Sequence, residues 1–262
     1  MNQKLKNAGF SLTEVLMAVG IFSVAMIFIA GAFPVAIHFT TIASEQTIAA
    51  VVADEAFAKI RLYGVNPSDA NMQFNQQAPF YNVRVTDINS DEFAYPSDSA
   101  VDKQYYWSAI CRRIEGNDVQ MTVFVSRKIG AGSMYNARDL FYWPGPLWSS
   151  AITQIYYPLA IPMEVQPGAA TDEIVINDIG ISGDNIDERA FINDGCTIVE
   201  DSTGQVYRVL QRYVDTAGID RAQLDKDWNA AYPNPDYVWV IPPPVNGGRY
   251  PCVGVFQKVI RF

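Results

Sequence analysis

The sequence predicts an α+β protein, with one long N-terminal helix followed by a head built on an antiparallel β-sheet with loop-rich insertions. Three observations carry that prediction. Residues 15–37 hold no charged side chain. Apolar residues from 48 to 63 then recur at helical spacing. Beyond Tyr63 the apolar pattern switches to alternation, the period of a strand.

The charge-free run VLMAVGIFSVAMIFIAGAFPVAI is 23 residues long. At ~1.5 Å per residue it is long enough to cross a bilayer core of ~30 Å. Lys4 and Lys6 precede it, so its N-terminal end is expected at the cytoplasmic face. Behind it, Ile48, Val52, Ala56 and Ile60 recur every fourth residue, and Val51 and Tyr63 extend that stripe. Asp54, Glu55, Lys59 and Arg61 fall largely off it. Tyr63-Gly64, followed by Pro67, reads as the stop. A helix from Phe10 to Tyr63 would be ~80 Å long. Gly20 and Gly31 allow close helix approach. Pro34 lacks the amide that bonds the preceding turn, which predicts a kink or a locally melted turn there.

Three readings of this N-terminal region compete. A secretory signal peptide has Ala30-Gly31-Ala32 as a cleavage site, but its apolar segment is typically only ~7–15 residues. A plain membrane anchor explains the length but gives no reason for Glu14 at the head of the run. The third reading starts from Gly9-Phe10-Ser11-Leu12-Thr13-Glu14, which follows a short basic leader and precedes the apolar helix. This combination resembles the processing site of type IV pilins and type II secretion pseudopilins, and the resemblance covers roughly residues 1–60.

The resemblance implies a pilin-like fold and a division into a leader (1–9), a transmembrane and assembly helix (10–39), its amphipathic half (40–64) and a β-rich head (65–262). It implies that prepilin peptidase cuts after Gly9 and that the new amine of Phe10 is methylated. A carboxylate in apolar surroundings costs ~2.5–3.5 kcal/mol, so Glu14 needs a partner. In the family that partner is the terminal ammonium of a neighbouring subunit, here that of Phe10. The implied partners are prepilin peptidase, other pilins or pseudopilins, and the inner membrane before assembly. The implied location is a single-pass inner-membrane protein with its head in the periplasm or outside, and a filament after assembly. Size and the loop-rich C-terminal half favour a minor subunit.

In the head, Phe80–Thr86 reads as a strand, and Tyr105–Glu115 with Val119–Lys128 as a hairpin around Gly116-Asn117-Asp118. Residues 129–172 are rich in Gly, Pro and aromatics and read as a surface excursion, with a strand within Ile152–Ile161. Glu173–Asn177 is a further strand. Cys196–Glu200 and Gln205–Tyr213 form the clearest hairpin, turning at Asp201-Ser202-Thr203-Gly204. Residues 219–229 are read as a short helix, and Val238–Ile241 and Cys252–Phe262 as late strands.

The net charge is -9, and losing Lys4 and Lys6 with the leader would leave about -11. Such a head repels nucleic-acid phosphates, so no direct nucleic-acid partner is expected. Arg112-Arg113 and Arg127-Lys128 read as solvated strand ends. The single histidine, His38, lies at the edge of the apolar run, which rules out a His-based triad or His-rich zinc site in the head. There is no CxxC, P-loop or GxGxxG pattern. No cofactor and no catalysis are therefore expected. Among Cys111, Cys196 and Cys252, the preferred bridge is Cys196 with Cys252, both in the C-terminal half, with three thiols as the alternative. Acids crowd residues 172–201, and Asp184, Asp187 and Asp194 are the calcium candidates, against a solvated acidic surface. The alternative to a filament subunit is a membrane-anchored extracytoplasmic module binding polysaccharide or acting in adhesion, through Trp143, Trp148, Tyr156 and Tyr157.

Overall fold

The computed structural model describes residues 11–63, 83–85, 88, 90–98, 102–115, 117–130, 132–140, 148–178, 187–229 and 236–262. The chain divides into two compact units, Met1–Thr47 and Ile48–Phe262. Helix α1 runs Leu12–Tyr63 and ends where Tyr63-Gly64 predicts. It stays helical across Pro34, so the expected melted turn is absent. Proline removes one backbone bond, and the bonds of the flanking turns are enough to keep the helix formed.

The C-terminal part of α1 packs on the head through Ala49, Val52, Ala53, Ala56, Phe57 and Ile60. This is the i, i+3, i+4 stripe of an amphipathic helix, and its three alanines permit close contact. The expected stripe is corrected in part. Val52, Ala56 and Ile60 are buried, whereas Ile48, Val51 and Tyr63 are 37%, 51% and 48% exposed. At ~100° per residue Ile48 and Val51 turn away from the buried face, whereas Tyr63 stays on that side but is the last residue of the helix.

Among the described residues the strands sort into three sets. The first is a five-stranded antiparallel sheet made of β1 (Val83–Arg84), β2 (Ala94–Tyr95), β3 (Tyr105–Glu115), β4 (Asp118–Arg127) and β13 (Cys252–Arg261). Trp107, Ala109 and Cys111 of β3, with Val119, Met121, Val123 and Val125 of β4, face the helix. The intervening Ile110 and Phe124 face the other way, into a cluster with Ala160, Val199, Trp239 and Ile241. Both faces of the sheet are therefore covered, which explains the nearly unbroken apolar run in β4. Lys59 ties the helix to the segment before β3, meeting Glu55 at 3.0 Å and the Glu92 carboxylate at 2.9 Å.

The second set is a closed antiparallel barrel in the order β10-β11-β8-β7-β12-β9. Its strands are β7 (Ile161–Pro167), β8 (Glu173–Ile176), β9 (Thr197–Glu200), β10 (Val206–Val214), β11 (Asp220–Leu224) and β12 (Asp236–Val240). Alternate residues fill it: Ile161, Met163 and Val165; Tyr207 and Val209; Ala222 and Leu224; Val238 and Val240. Closure leaves no exposed strand edge. The third set is the pair β5 (Tyr135–Leu140) and β6 (Trp148–Ile155).

Three sequence expectations change. Residues 129–172 are not a surface excursion, because they supply β5, β6 and β7, and Tyr135, Met163 and Val165 are buried. Residues 219–229 contain β11 rather than a helix, since alternating Ala222 and Leu224 point into the barrel. Of Phe80–Thr86, Val83–Arg84 pair with β3, and most of the remainder lies outside the described residues.

Candidate assembly segment and head sites

The first residues of α1 form a reciprocal cap. The Ser11 carbonyl accepts from the Glu14 amide at 3.0 Å, and the Glu14 Oε2 accepts from the Ser11 amide at 3.2 Å. The Ser11 hydroxyl also accepts from the Thr13 amide at 3.3 Å. Ser11-x-x-Glu14 has the spacing of a capping box, a signal the sequence carried in plain view, with the Ser11 hydroxyl taking the Thr13 amide rather than that of Glu14. A carboxylate there is also favoured by the positive end of the helix dipole. Glu14 therefore folds back over the residue that follows Phe10. Gly9 and Phe10 themselves lie outside the described residues, as do Lys4 and Lys6.

Every residue from 11 to 41 is exposed within the chain. Leu16, Ile21, Phe22, Ile27, Phe28, Phe33 and Phe39 are each more than 60% exposed. A helix that is apolar all round belongs in lipid or among other helices. Its hydroxyls are arranged accordingly. Ser23, Thr40, Thr41 and Thr47 each donate to the carbonyl four residues earlier, at 2.8–2.9 Å. No hydroxyl donor among these four is left bare in an apolar medium.

In the head, the calcium candidates have protein partners. Asp187 caps a short 3-10 turn, accepting from the Arg189 amide at 3.1 Å and its Nε at 2.8 Å. The Arg189 hydrogen bond holds its carboxyl below the ordinary range. Asp194 accepts from the Arg212 amide at 2.5 Å, and Asp184 lies outside the described residues. Among the described residues no three His, Cys, Asp or Glu side chains are grouped to hold a metal ion. Cys196 and Cys252 are present as thiols, close enough for Cys196 to bear on the titration of Cys252. Burial pushes both up to about 12.

The aromatic candidates do not form a platform among the described residues. Trp143 and the Trp148 side chain fall outside them. Tyr157 stacks on Phe93 and Tyr106, with centroids 6.5 and 6.3 Å away, leaving Tyr156 as the exposed ring at 69%. Arg112 is likewise not a solvated strand end. Its guanidinium reaches from β3 to the turn between β9 and β10, donating to the carbonyls of Ser202 and Thr203 and to Gln120 Oε1 at 2.8 Å. Burial pulls the guanidinium below its ordinary range, and Glu200 and Asp201 oppose that by attraction. Gln257 of β13 holds the same turn by donating to the Gly204 carbonyl at 2.6 Å. Gly204 sits at φ 71°, and a Cβ there would come within 3.0 Å of Gln120 Nε2. The turn legible in the sequence is thus the joint between barrel and sheet. Sequence reasoning missed this role, because nothing local marks a contact 90 residues away.

A search of curated proteins finds no match to the chain. Residues 4–30 match the family model of the prokaryotic N-terminal methylation motif. With that motif, the long apolar N-terminal helix and the antiparallel β head, the chain fits the type IV pilin and pseudopilin family.

Proposed function

We propose that this protein is a non-catalytic structural subunit of a type IV pilus or a type II secretion-like pseudopilus, and a minor rather than a bulk one. Prepilin peptidase cuts after Gly9, and the Phe10 amine is methylated. The head then lies in the periplasm or outside, and the exposed apolar helix carries the subunit from the inner membrane into the filament. The observation that carries this reading is the conjunction of the methylation motif at residues 4–30 with a helix that exposes every residue from 11 to 41. A surface of that size and polarity needs lipid or neighbouring helices to cover it.

Glu14 has a defined part in this reading. Among the described residues its carboxylate accepts from the Ser11 amide. On assembly it turns to the ammonium of a neighbouring Phe10, which fixes the register of one helix against the next. The test is to coexpress Glu14→Gln with its processing enzyme and filament partners, then compare membrane and sheared-filament fractions. The reading expects a processed chain in the membrane and at least a tenfold loss from the sheared fraction. Incorporation at the wild-type level would overturn the role of Glu14.

A further inference from the structure

The barrel and its turns bury several acids, and most are matched by donors. Glu173 receives Arg221 Nη1 at 2.7 Å and the Tyr213 hydroxyl at 2.9 Å. Asp220 receives Arg212 at 2.7 Å and Arg189 at 3.4 Å. Glu200 receives the amides of Ser202 and Thr203, both at 2.6 Å, and both of their hydroxyls. Asp201 receives Trp239 Nε1 at 2.7 Å. Asp236 differs. It is 6% exposed, its Oδ1 accepts from the Tyr237 amide at 2.9 Å, and its buried Oδ2 meets no donor.

The register of the barrel says what Oδ2 faces. Glu200 of β9 lies opposite Val238 of β12, and Val238 is in the barrel core. Asp236 is two residues before Val238, hence on the same face and diagonal to Glu200. Two carboxyl groups thus point together into one end of a closed barrel. We propose that Asp236 and Glu200 share a single proton, Asp236 donating from Oδ2 to Glu200, and that this proton keeps the β9–β10 turn in the shape that Arg112 and Gln257 grip.

The other charged and titratable groups around the pair fit that assignment. Asp201, on the turn after β9, adds negative charge and raises the cost of a second ionisation. Tyr207 of β10 is buried, and its hydroxyl accepts from the Asn229 amide at 2.9 Å. Lys226 lies over the Tyr207 ring, 4.9 Å from its centroid, and Asp225 caps the Arg208 amide. On the β7 side Asp236 faces apolar Val165, while Glu164 accepts from Asn177 Nδ2 at 3.0 Å. On the sheet side Arg112 is attracted by Glu200 and Asp201, and it donates to the turn carbonyls and to Gln120. Burial first, and then Glu200, push the Asp236 carboxyl up from 3.8 to about 7. A raised carboxyl stabilises the folded state through its bound proton. That contribution is complete below 3.8 and is lost as pH rises through about 7. Tenfold per pH unit, the folding equilibrium constant should fall by about 100-fold between pH 5 and pH 8.

Asparagine at 236 imitates the protonated acid, since its amide can donate to Glu200 at any pH. The experiment melts the full chain in detergent from pH 5 to pH 8, as wild type and as Asp236→Asn, and follows hydrogen exchange of residues 200–205 in both at pH 8. The expected result is a wild-type melting temperature that falls with pH and a variant that melts higher than wild type at pH 8 with a flat profile. Exchange in the turn should be about tenfold slower in the variant at that pH, where intrinsic rates are equal. A variant with the wild-type slope, or with faster exchange in the turn, overturns the proposal. So does calcium restoring the wild-type melting temperature at pH 8, which would make the pair a cation site. Should the variant fail to fold, infrared spectra of the wild type decide. The proposal needs a protonated-carboxyl band at pH 5.5 that is lost by pH 8.5 and is absent from Asp236→Ala, and a band that is missing or unchanged sinks it.

Discussion

Replacing Arg112 with alanine should separate the barrel from the sheet more than any surface change. The side chain donates to two backbone carbonyls of the β9–β10 turn and to Gln120. Hydrogen bonds from a charged donor are worth ~1.5–3 kcal/mol each. Truncation leaves the two carbonyls half-buried, and water replaces part of what is lost, so a net cost of ~3 kcal/mol is a fair figure. In a domain of this size 1 kcal/mol moves the melting temperature by ~2–4 °C, which gives a fall of ~6–12 °C. The assay is circular-dichroism melting of the full chain in detergent, with exposed Arg249→Ala as control. Arg112→Lys should fall between, because one ammonium cannot present the paired donors of a guanidinium. An Arg112→Ala protein melting within ~1 °C of wild type would refute the claim that this side chain holds the joint.

Two further predictions concern titration and thiol chemistry. The Lys59 hydrogen bond, and then its charge, hold the Glu92 carboxyl below 4.5, so this pair stabilises the head above that pH and loses its effect as pH falls through the lowered value. Lys59→Met should therefore lower the melting temperature at pH 7 and lower it less in acid, where only the bonds of Lys59 to the Glu92 carbonyl and the Ser97 hydroxyl remain, and an equal gap at both pH values would contradict the pairing. Cys196 and Cys252 are thiols pushed up to about 12, so at pH 8 an alkylating reagent should leave both unmodified in the folded chain and label both after unfolding without reductant. Failure to label after unfolding would reveal a bridge in their place.

Much of the fold was legible because it is local. The helix limits follow from a stop at Tyr63-Gly64 and an apolar run that no strand could use, and the β3–β4 and β9–β10 hairpins follow from alternation around polar turns. The barrel was not legible. Its closure pairs β12 with both β7 and β9, strands separated by stretches of chain that carry no mark of their partners. β11 reads Asp-Arg-Ala-Gln-Leu, polar enough to pass for helix, and only the inward spacing of Ala222 and Leu224 betrays a strand. The Ser11–Glu14 cap could have been read from the sequence, since a serine three residues before a glutamate at the head of a helix is a local signal. The grip of Arg112 on the Ser202 and Thr203 carbonyls could not, because a backbone acceptor leaves no trace in composition.

The central proposal is that the helix is prepared for assembly by a cut that frees the Phe10 amine for the Glu14 of a neighbouring subunit. The most direct test is the mass of the N-terminal peptide of the protein recovered from a host carrying the processing enzyme. The account predicts a chain that begins at methylated Phe10. A chain that keeps Met1, or one cut after Ala32, would contradict it.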